Sequence, residues 1–172
     1  MNLREEILKE HSKQQTIRLA NWVGKEKKRF TELMNLFLHD EYRVVQRSAW
    51  IVKHVADEHP DWIKPWLKKM LEYCKQPVHD AVKRNVIRIL TEIDLPKNLY
   101  GLAATICFDF LSSATEPVAV KVFSMTVLSN IAQHEPELKQ ELRLLIEDQM
   151  QWEKPGFTSR GRKILAQLEK DR

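Results

Sequence analysis

The sequence predicts an all-α protein: an α-α superhelix, or solenoid, of about four helical hairpins followed by a terminal helix, roughly nine helices in all. Three observations support this fold class. An apolar pattern of helical period returns every 38 residues. Prolines recur at matching places between the apolar stretches. The 172 residues include four glycines, which are too few for the many turns of an all-β fold. We expect one domain over residues 1–172.

The repeated pattern is carried by three segments that begin at Val44, Val82 and Val120. In each segment small or apolar residues follow 4, 5, 8 and 11 positions later. Residues at these spacings lie on one side of an α-helix, so each segment predicts a helix with one buried face. The equivalent positions are Ser48, Val86 and Ser124; Ala49, Ile87 and Met125; Val52, Leu90 and Leu128; Val55, Ile93 and Ile131.

A second apolar stretch of helical period follows each of these helices: "WIKPWLKKMLEYC", "LYGLAATICFDFL" and "LKQELRLLIEDQM". Pro77, Pro117 and Pro155 come just after these stretches, where proline ends one helix or occupies the first turn of the next. The repeating unit is therefore a pair of helices. "QTIRLANWV" with "RFTELMNLFLHD" predicts a further pair at the N-terminal end, and Ile164, Leu165 and Leu168 predict a last helix.

The segment "WIKPWLKKMLEYCKQPVHDAVKRNVIRILTEI" resembles a unit of the HEAT-repeat superfamily. Pro65 matches the proline early in the first helix of that unit, and Val82 with Lys83 matches the pair that opens its second helix. Val120 and Lys121 repeat this pair. The resemblance implies a single HEAT-like repeat domain over residues 1–172, in which the second helices line a concave face.

A basic stripe with one tryptophan is expected on that face. Its candidate binding residues are Arg43, Arg47, Trp50, His54, Arg84 and Arg88, and the repeat register places Asn85 among the exposed positions as well. Trp50 is equivalent to Arg88 and Thr126, which predicts that it lies outside the core. An exposed indole between arginines suits a protein partner or a nucleic-acid base. The alternative is that the ring fills space between helices.

The sequence favours neither a catalytic centre nor a metal site. His54 and Glu58 have the spacing of two ligands on one helix, but no third ligand accompanies them, and no nucleophile motif or glycine-rich phosphate loop occurs. Cys74 and Cys107 lie among apolar residues and are expected to be buried thiols. We therefore expect no metal and no small-molecule cofactor, and an enzyme is not favoured.

The charge and the apolar runs narrow the choice of partner. The net charge is +4, and residues 1–93 carry the positive excess. No run approaches the roughly 20 apolar residues of a membrane span, so we expect a cytoplasmic protein without membrane association. The leading hypothesis is a non-enzymatic scaffold that binds a protein through its basic, Trp-containing concave face. The alternative is a DNA-binding or DNA-repair module, because the stripe resembles that of HEAT-like alkylpurine DNA glycosylases.

Overall fold

The computed structural model describes residues 1–170, which form ten α-helices and one short 3-10 helix at Lys97–Leu99. The α-helices are α1 (Leu3–Lys9), α2 (Lys13–Val23), α3 (Lys27–His39), α4 (Tyr42–Glu58), α5 (Pro60–Cys74), α6 (Asp80–Leu90), α7 (Tyr100–Ser112), α8 (Val118–Ala132), α9 (Leu138–Gln149) and α10 (Pro155–Lys170). Within the described residues there is no strand. The predicted all-α class is confirmed.

Prolines mark several helix starts, and for Pro117 and Pro155 the sequence predicts this. Pro60 and Pro155 are the first residues of α5 and α10, and Pro117 directly precedes α8. The first turn of a helix has no partner for its backbone N–H groups, so proline loses nothing there. Pro77 lies in the turn between α5 and α6.

The chain divides into two compact units, Met1–Val86 and the part from Ile87 onward, with the boundary inside α6. In the first unit α4 is the central helix, since it packs against α1, α2, α3 and α5. The prediction of one domain over residues 1–172 stays a prediction.

Helix α8 is central to the second unit and packs against α7, α9 and α10. Its buried face includes a charged residue, Lys121, which is only 2% exposed. The Lys121 ammonium lies 2.6 Å from Glu153 Oε1 and donates a hydrogen bond to Gln149 Oε1 at 2.9 Å. Gln149 in turn donates from Nε2 to the carbonyl of Leu111 at 2.8 Å. A buried polar network therefore links α8 and α9 to the end of α7.

The repeated apolar positions are buried in all three copies, with one exception. Val44, Val82 and Val120 are each no more than 1% exposed. Ile93 is only half-buried and lies beyond the end of α6 at Leu90. The chain turns at Thr91, directly after the last residue of α6, and the Thr91 hydroxyl donates to the carbonyl of Arg88.

The prediction of roughly nine helices falls one short, because α1 is a separate helix. Its seven residues contain only Leu3 and Ile7 as buried positions, which is a single apolar turn. Asn2 caps the helix by accepting a hydrogen bond from the N–H of Glu5. The predicted burial of Cys74 and Cys107 is confirmed, and none of the described helices is long and apolar enough to cross a bilayer.

Candidate functional site

Four of the predicted binding residues lie on α4. Arg43, Arg47, Trp50 and His54 are separated by four, three and four positions, so they share one face of the helix. Arg43 is exposed, whereas Arg47 and His54 are half-buried. Trp50 keeps 45% of its surface exposed, so it lies outside the buried core, as the repeat register predicts.

Trp50 stays at the surface because the rest of α4 already supplies the core. Eight of the 17 residues of α4 are buried, and they cover the sides that face the neighbouring helices. Ala49 and Ile51, on either side of Trp50 in the chain, are 4% and 2% exposed. An indole between two buried neighbours on a helix points away from both of them, and Trp50 is left beside the start of α2.

A pocket of about 460 Å³ lies at this position. We call it the Trp50 pocket, and its lining residues are His11, Ser12, Lys13, Thr16, Trp50 and His54. Trp50 and His54 come from α4, while the other four come from the connection between α1 and α2 and from the first turn of α2. The pocket lies entirely within the first unit.

The wall of the pocket opposite Trp50 is held by local hydrogen bonds. Ser12 is the N-cap of α2, and its hydroxyl accepts a hydrogen bond from the N–H of Gln15 at 3.1 Å. The hydroxyl of Thr16 donates to the carbonyl of Ser12 at 2.9 Å, and the amide of Gln15 donates to the carbonyl of Glu6 at 2.8 Å. These bonds anchor the start of α2 to itself and to α1, so the pocket wall is preorganised.

Arg47 has a structural role in this unit. Its Nη1 donates hydrogen bonds to the carbonyls of Ile7 at 3.2 Å and Leu8 at 2.8 Å. These carbonyls belong to the last turn of α1, where no further helical N–H is present to bond them. A cation is also favoured at the C-terminal end of a helix. Arg47 therefore fastens α1 to α4, and it does not line the pocket.

The two arginines predicted on the next copy lie on α6. Arg84 and Arg88 are both half-buried, and Arg88 belongs to the second unit. That they share a surface with Trp50 stays a prediction. The expected exposure of Asn85 is wrong: it is 5% exposed, and its amide donates to the carbonyl of Ala81 at 2.8 Å. This hydrogen bond to the preceding turn satisfies the polar group inside the helix, so the side chain can be buried.

The Trp50 pocket has a positive lining without an acidic side chain. Lys13 supplies the positive charge of the lining. The carboxylate nearest along α4 is Asp57, and both of its oxygens lie 2.6 Å from the Lys53 ammonium. The pocket thus offers an apolar ring, a cation and hydroxyl groups. The described residues contain no group of three or more His, Cys, Asp or Glu side chains that could hold a metal ion.

The sequence did not indicate the four lining residues of the α1–α2 region. One signal was present: Ser12 and Gln15 have the spacing S-x-x-Q, which is typical of a helix N-terminus. It would have placed the start of α2 at Lys13. It could not have shown that this start lies beside Trp50, because that depends on how α2 packs against α4.

Comparison with known proteins agrees with the helical repeat. A family model described as a HEAT repeat domain matches residues 3–168, which include α1 to α9 and all but the last two residues of α10. No curated protein matches the sequence significantly. Since the matched segment covers nearly the whole chain and the described helices follow the predicted repeat, the chain belongs to the HEAT repeat domain family.

Proposed function

We propose that this chain is a HEAT-type scaffold that binds a protein partner in the Trp50 pocket. A helical-repeat scaffold of this family often serves protein interaction. The observation that carries the proposal is a tryptophan with 45% of its surface exposed at the edge of a pocket of about 460 Å³.

Trp50 has the properties of an interface anchor. Large aromatic side chains supply much of the energy of protein interfaces, because a rigid ring buries a large apolar area at a small cost in side-chain entropy. Full burial of a large apolar side chain supplies about 1.5–3 kcal/mol, and the exposed 45% of Trp50 forgoes a share of that energy. A partner that covers Trp50 would recover part of that energy.

The charge around the pocket favours a partner segment with acidic residues. Lys13 lies in the lining, and Arg43 is exposed two turns before Trp50 on the same face of α4. No carboxylate lines the pocket to offset these charges. Complementary charges of this kind speed association and orient the partner more than they raise affinity. We therefore expect an apolar side chain to enter the pocket, flanked by Asp or Glu.

DNA binding is the second candidate, because the same charges and an exposed ring could contact phosphates and a base. The proposed protein partner is preferred for two reasons. Arg47 donates hydrogen bonds to carbonyls of α1, which removes one of the expected phosphate contacts. The lining also lacks the carboxylate that would correspond to the acidic side chain of the glycosylases.

Affinity capture with matched variants tests the proposal. The wild-type chain, Trp50→Ala and Trp152→Ala are immobilised and exposed to an extract of the source cells. Trp152 is the control because it is also an exposed tryptophan, at 62%. We expect a stoichiometric protein that the wild type and Trp152→Ala retain and that Trp50→Ala loses.

Two results would contradict the proposal. In the first, both variants retain the same proteins as the wild type. In the second, the wild type binds duplex DNA with an affinity that falls steeply as salt is added and that requires Trp50, which would establish the DNA-binding alternative.

A further inference from the structure

The second unit contains a groove whose charge is opposite to that of the Trp50 pocket. It has a volume of about 400 Å³ and lies between one face of α7 and the start of α9. We call it the α7–α9 groove. All of its lining residues belong to the second unit.

Small residues on α7 open the groove. Gly101 and Ala104 lie one turn apart in its lining, and a methyl group built on Gly101 would meet no atom beyond the adjacent helix backbone within 4 Å. Tyr100 and Phe108, about two turns apart on α7, also line the groove and supply two aromatic rings. The ring of Tyr100 is held in place by stacking on His134, with 5.7 Å between the ring centroids.

The part of the lining that comes from outside α7 is acidic. Glu135, Glu137 and Glu141 line the groove at the end of α8 and the start of α9. Lys97 is the one cation in the lining, so the lining residues carry a formal net charge of −2. Among the ion pairs recorded within residues 1–170, none involves these three glutamates.

We propose that the α7–α9 groove binds an arginine side chain from a basic segment of a protein partner. A guanidinium group is planar, stacks on aromatic faces and donates paired hydrogen bonds to carboxylates. Aromatic rings of α7 and carboxylates of the α8–α9 connection and α9 line the same groove, together with apolar residues that suit the three methylene groups of arginine. This site is independent of the Trp50 pocket.

The test is an NMR titration of the ¹⁵N-labelled full chain with the peptide acetyl-Gly-Arg-Gly-Arg-Gly-amide. The matched probe replaces each arginine by citrulline, which keeps the size and planarity of the group and removes its charge. We expect saturable shifts of amides in residues 100–108 and 135–141, with a Kd in the range of about 1 mM for so short a peptide. The citrulline peptide should cause no saturable shift there.

Variants on α9 separate groove binding from general charge attraction. Glu141→Gln removes a lining carboxylate and should raise the Kd about three- to fivefold. Asp148→Asn removes a charge from an exposed position of the same helix outside the groove, and it should leave the Kd unchanged. Phe108→Leu, which removes an aromatic face, should also weaken binding.

Three results would overturn the proposal. The citrulline peptide could bind as well as the arginine peptide, the shifts could spread over acidic surfaces elsewhere, or Glu141→Gln and Asp148→Asn could weaken binding equally. The amide spectrum of each variant reports whether it is folded, so a loss of structure is recognised directly.

Discussion

The ammonium of Lys121 on α8 lies 2.6 Å from a carboxylate oxygen of Glu153, and the two side chains are 2% and 12% exposed. Because Gln149 accepts a second hydrogen bond from the ammonium, the charge is compensated inside the second unit. A buried ion pair is weak evidence for stability as a whole, but removing one partner leaves the other charge uncompensated. Removal of Lys121 should therefore destabilise the second unit.

Lys121→Met should lower the free energy of unfolding by about 3 kcal/mol, because it retains most of the side-chain volume but strands Glu153 and Gln149. Urea denaturation measures this loss. The control is Lys68→Met, which removes a lysine that is 69% exposed and 3.9 Å from Glu72, and it should change stability by less than about 1 kcal/mol. Equal effects of the two substitutions would contradict a structural role for the network.

Gly161→Ala should destabilise the packing of α10 on α9. A methyl group at Gly161 would lie 2.9 Å from Ile146 Cγ2 and 3.3 Å from Met150 Sδ. Ile146 is fully buried, and its branched side chain has little freedom to move away. We expect a net loss of about 1–2 kcal/mol, since the cost of overpacking exceeds the gain in helix propensity.

Gly156→Ala is the matched control on the same helix, because a methyl group there would meet no atom within 4 Å. It should leave stability unchanged or raise it by about 0.5–1 kcal/mol. Thermal unfolding measures the change in stability of both variants. A stabilised Gly161→Ala would contradict the close packing of α10 on α9.

Arg47→Met should loosen α1 without unfolding the rest of the first unit. The substitution keeps the apolar stem and removes the hydrogen bonds to the carbonyls of Ile7 and Leu8, at a cost of about 1–3 kcal/mol. Hydrogen exchange should then accelerate at the amides of α1. Arg43→Met, at an exposed position of the same face, should leave this exchange unchanged; acceleration in both variants would refute the assigned role.

The stability of the first unit should depend on the ionisation of Asp40. Its carboxylate accepts two hydrogen bonds from the Arg4 guanidinium, at 2.8 and 3.0 Å, which hold the pKa of Asp40 below its ordinary value of 3.8. A group with a depressed pKa contributes stability above its unfolded-state pKa, and the contribution is lost as the pH falls through the folded-state pKa.

Wild type should therefore exceed Asp40→Asn in stability at neutral pH, and the difference should shrink as the pH falls below 3.8. Urea denaturation at a series of pH values measures it, with Asp148→Asn as the control for removing one negative charge. A difference that is constant from neutral to acidic pH would show that the pairing with Arg4 does not stabilise the fold.

Helices with long apolar patterns could be predicted from the sequence, and helices with short ones could not. The positions equivalent to Val44 and Val120 recur over several helical turns, so their burial could be predicted. Helix α1 could not, because it has one apolar turn and is held by Arg47, which is distant in the sequence. Lysine is rarely buried, so the burial of Lys121 could not be predicted from its own segment. It depends on Glu153 in the turn before α10.

The candidate site was predicted in part for the same reason. The register of the repeat placed Trp50 outside the core, and the 45% exposure of its side chain agrees with that expectation. The other wall of the pocket, from His11 to Thr16, is brought to Trp50 by the packing of α2 against α4. Such packing between helices depends on tertiary contacts that no local pattern contains.

Site-specific photo-crosslinking tests the central claim, that the Trp50 pocket is where a partner protein binds. A photoreactive benzoylphenylalanine replaces Thr16, which lines the pocket, or Thr31, an exposed residue of α3 outside it, and each variant is irradiated in an extract of the source cells. We expect one protein to be crosslinked from position 16, to be absent from position 31 and to be lost when Trp50→Ala is added. The same crosslinks from both positions, or crosslinks from position 16 that persist with Trp50→Ala, would contradict the claim.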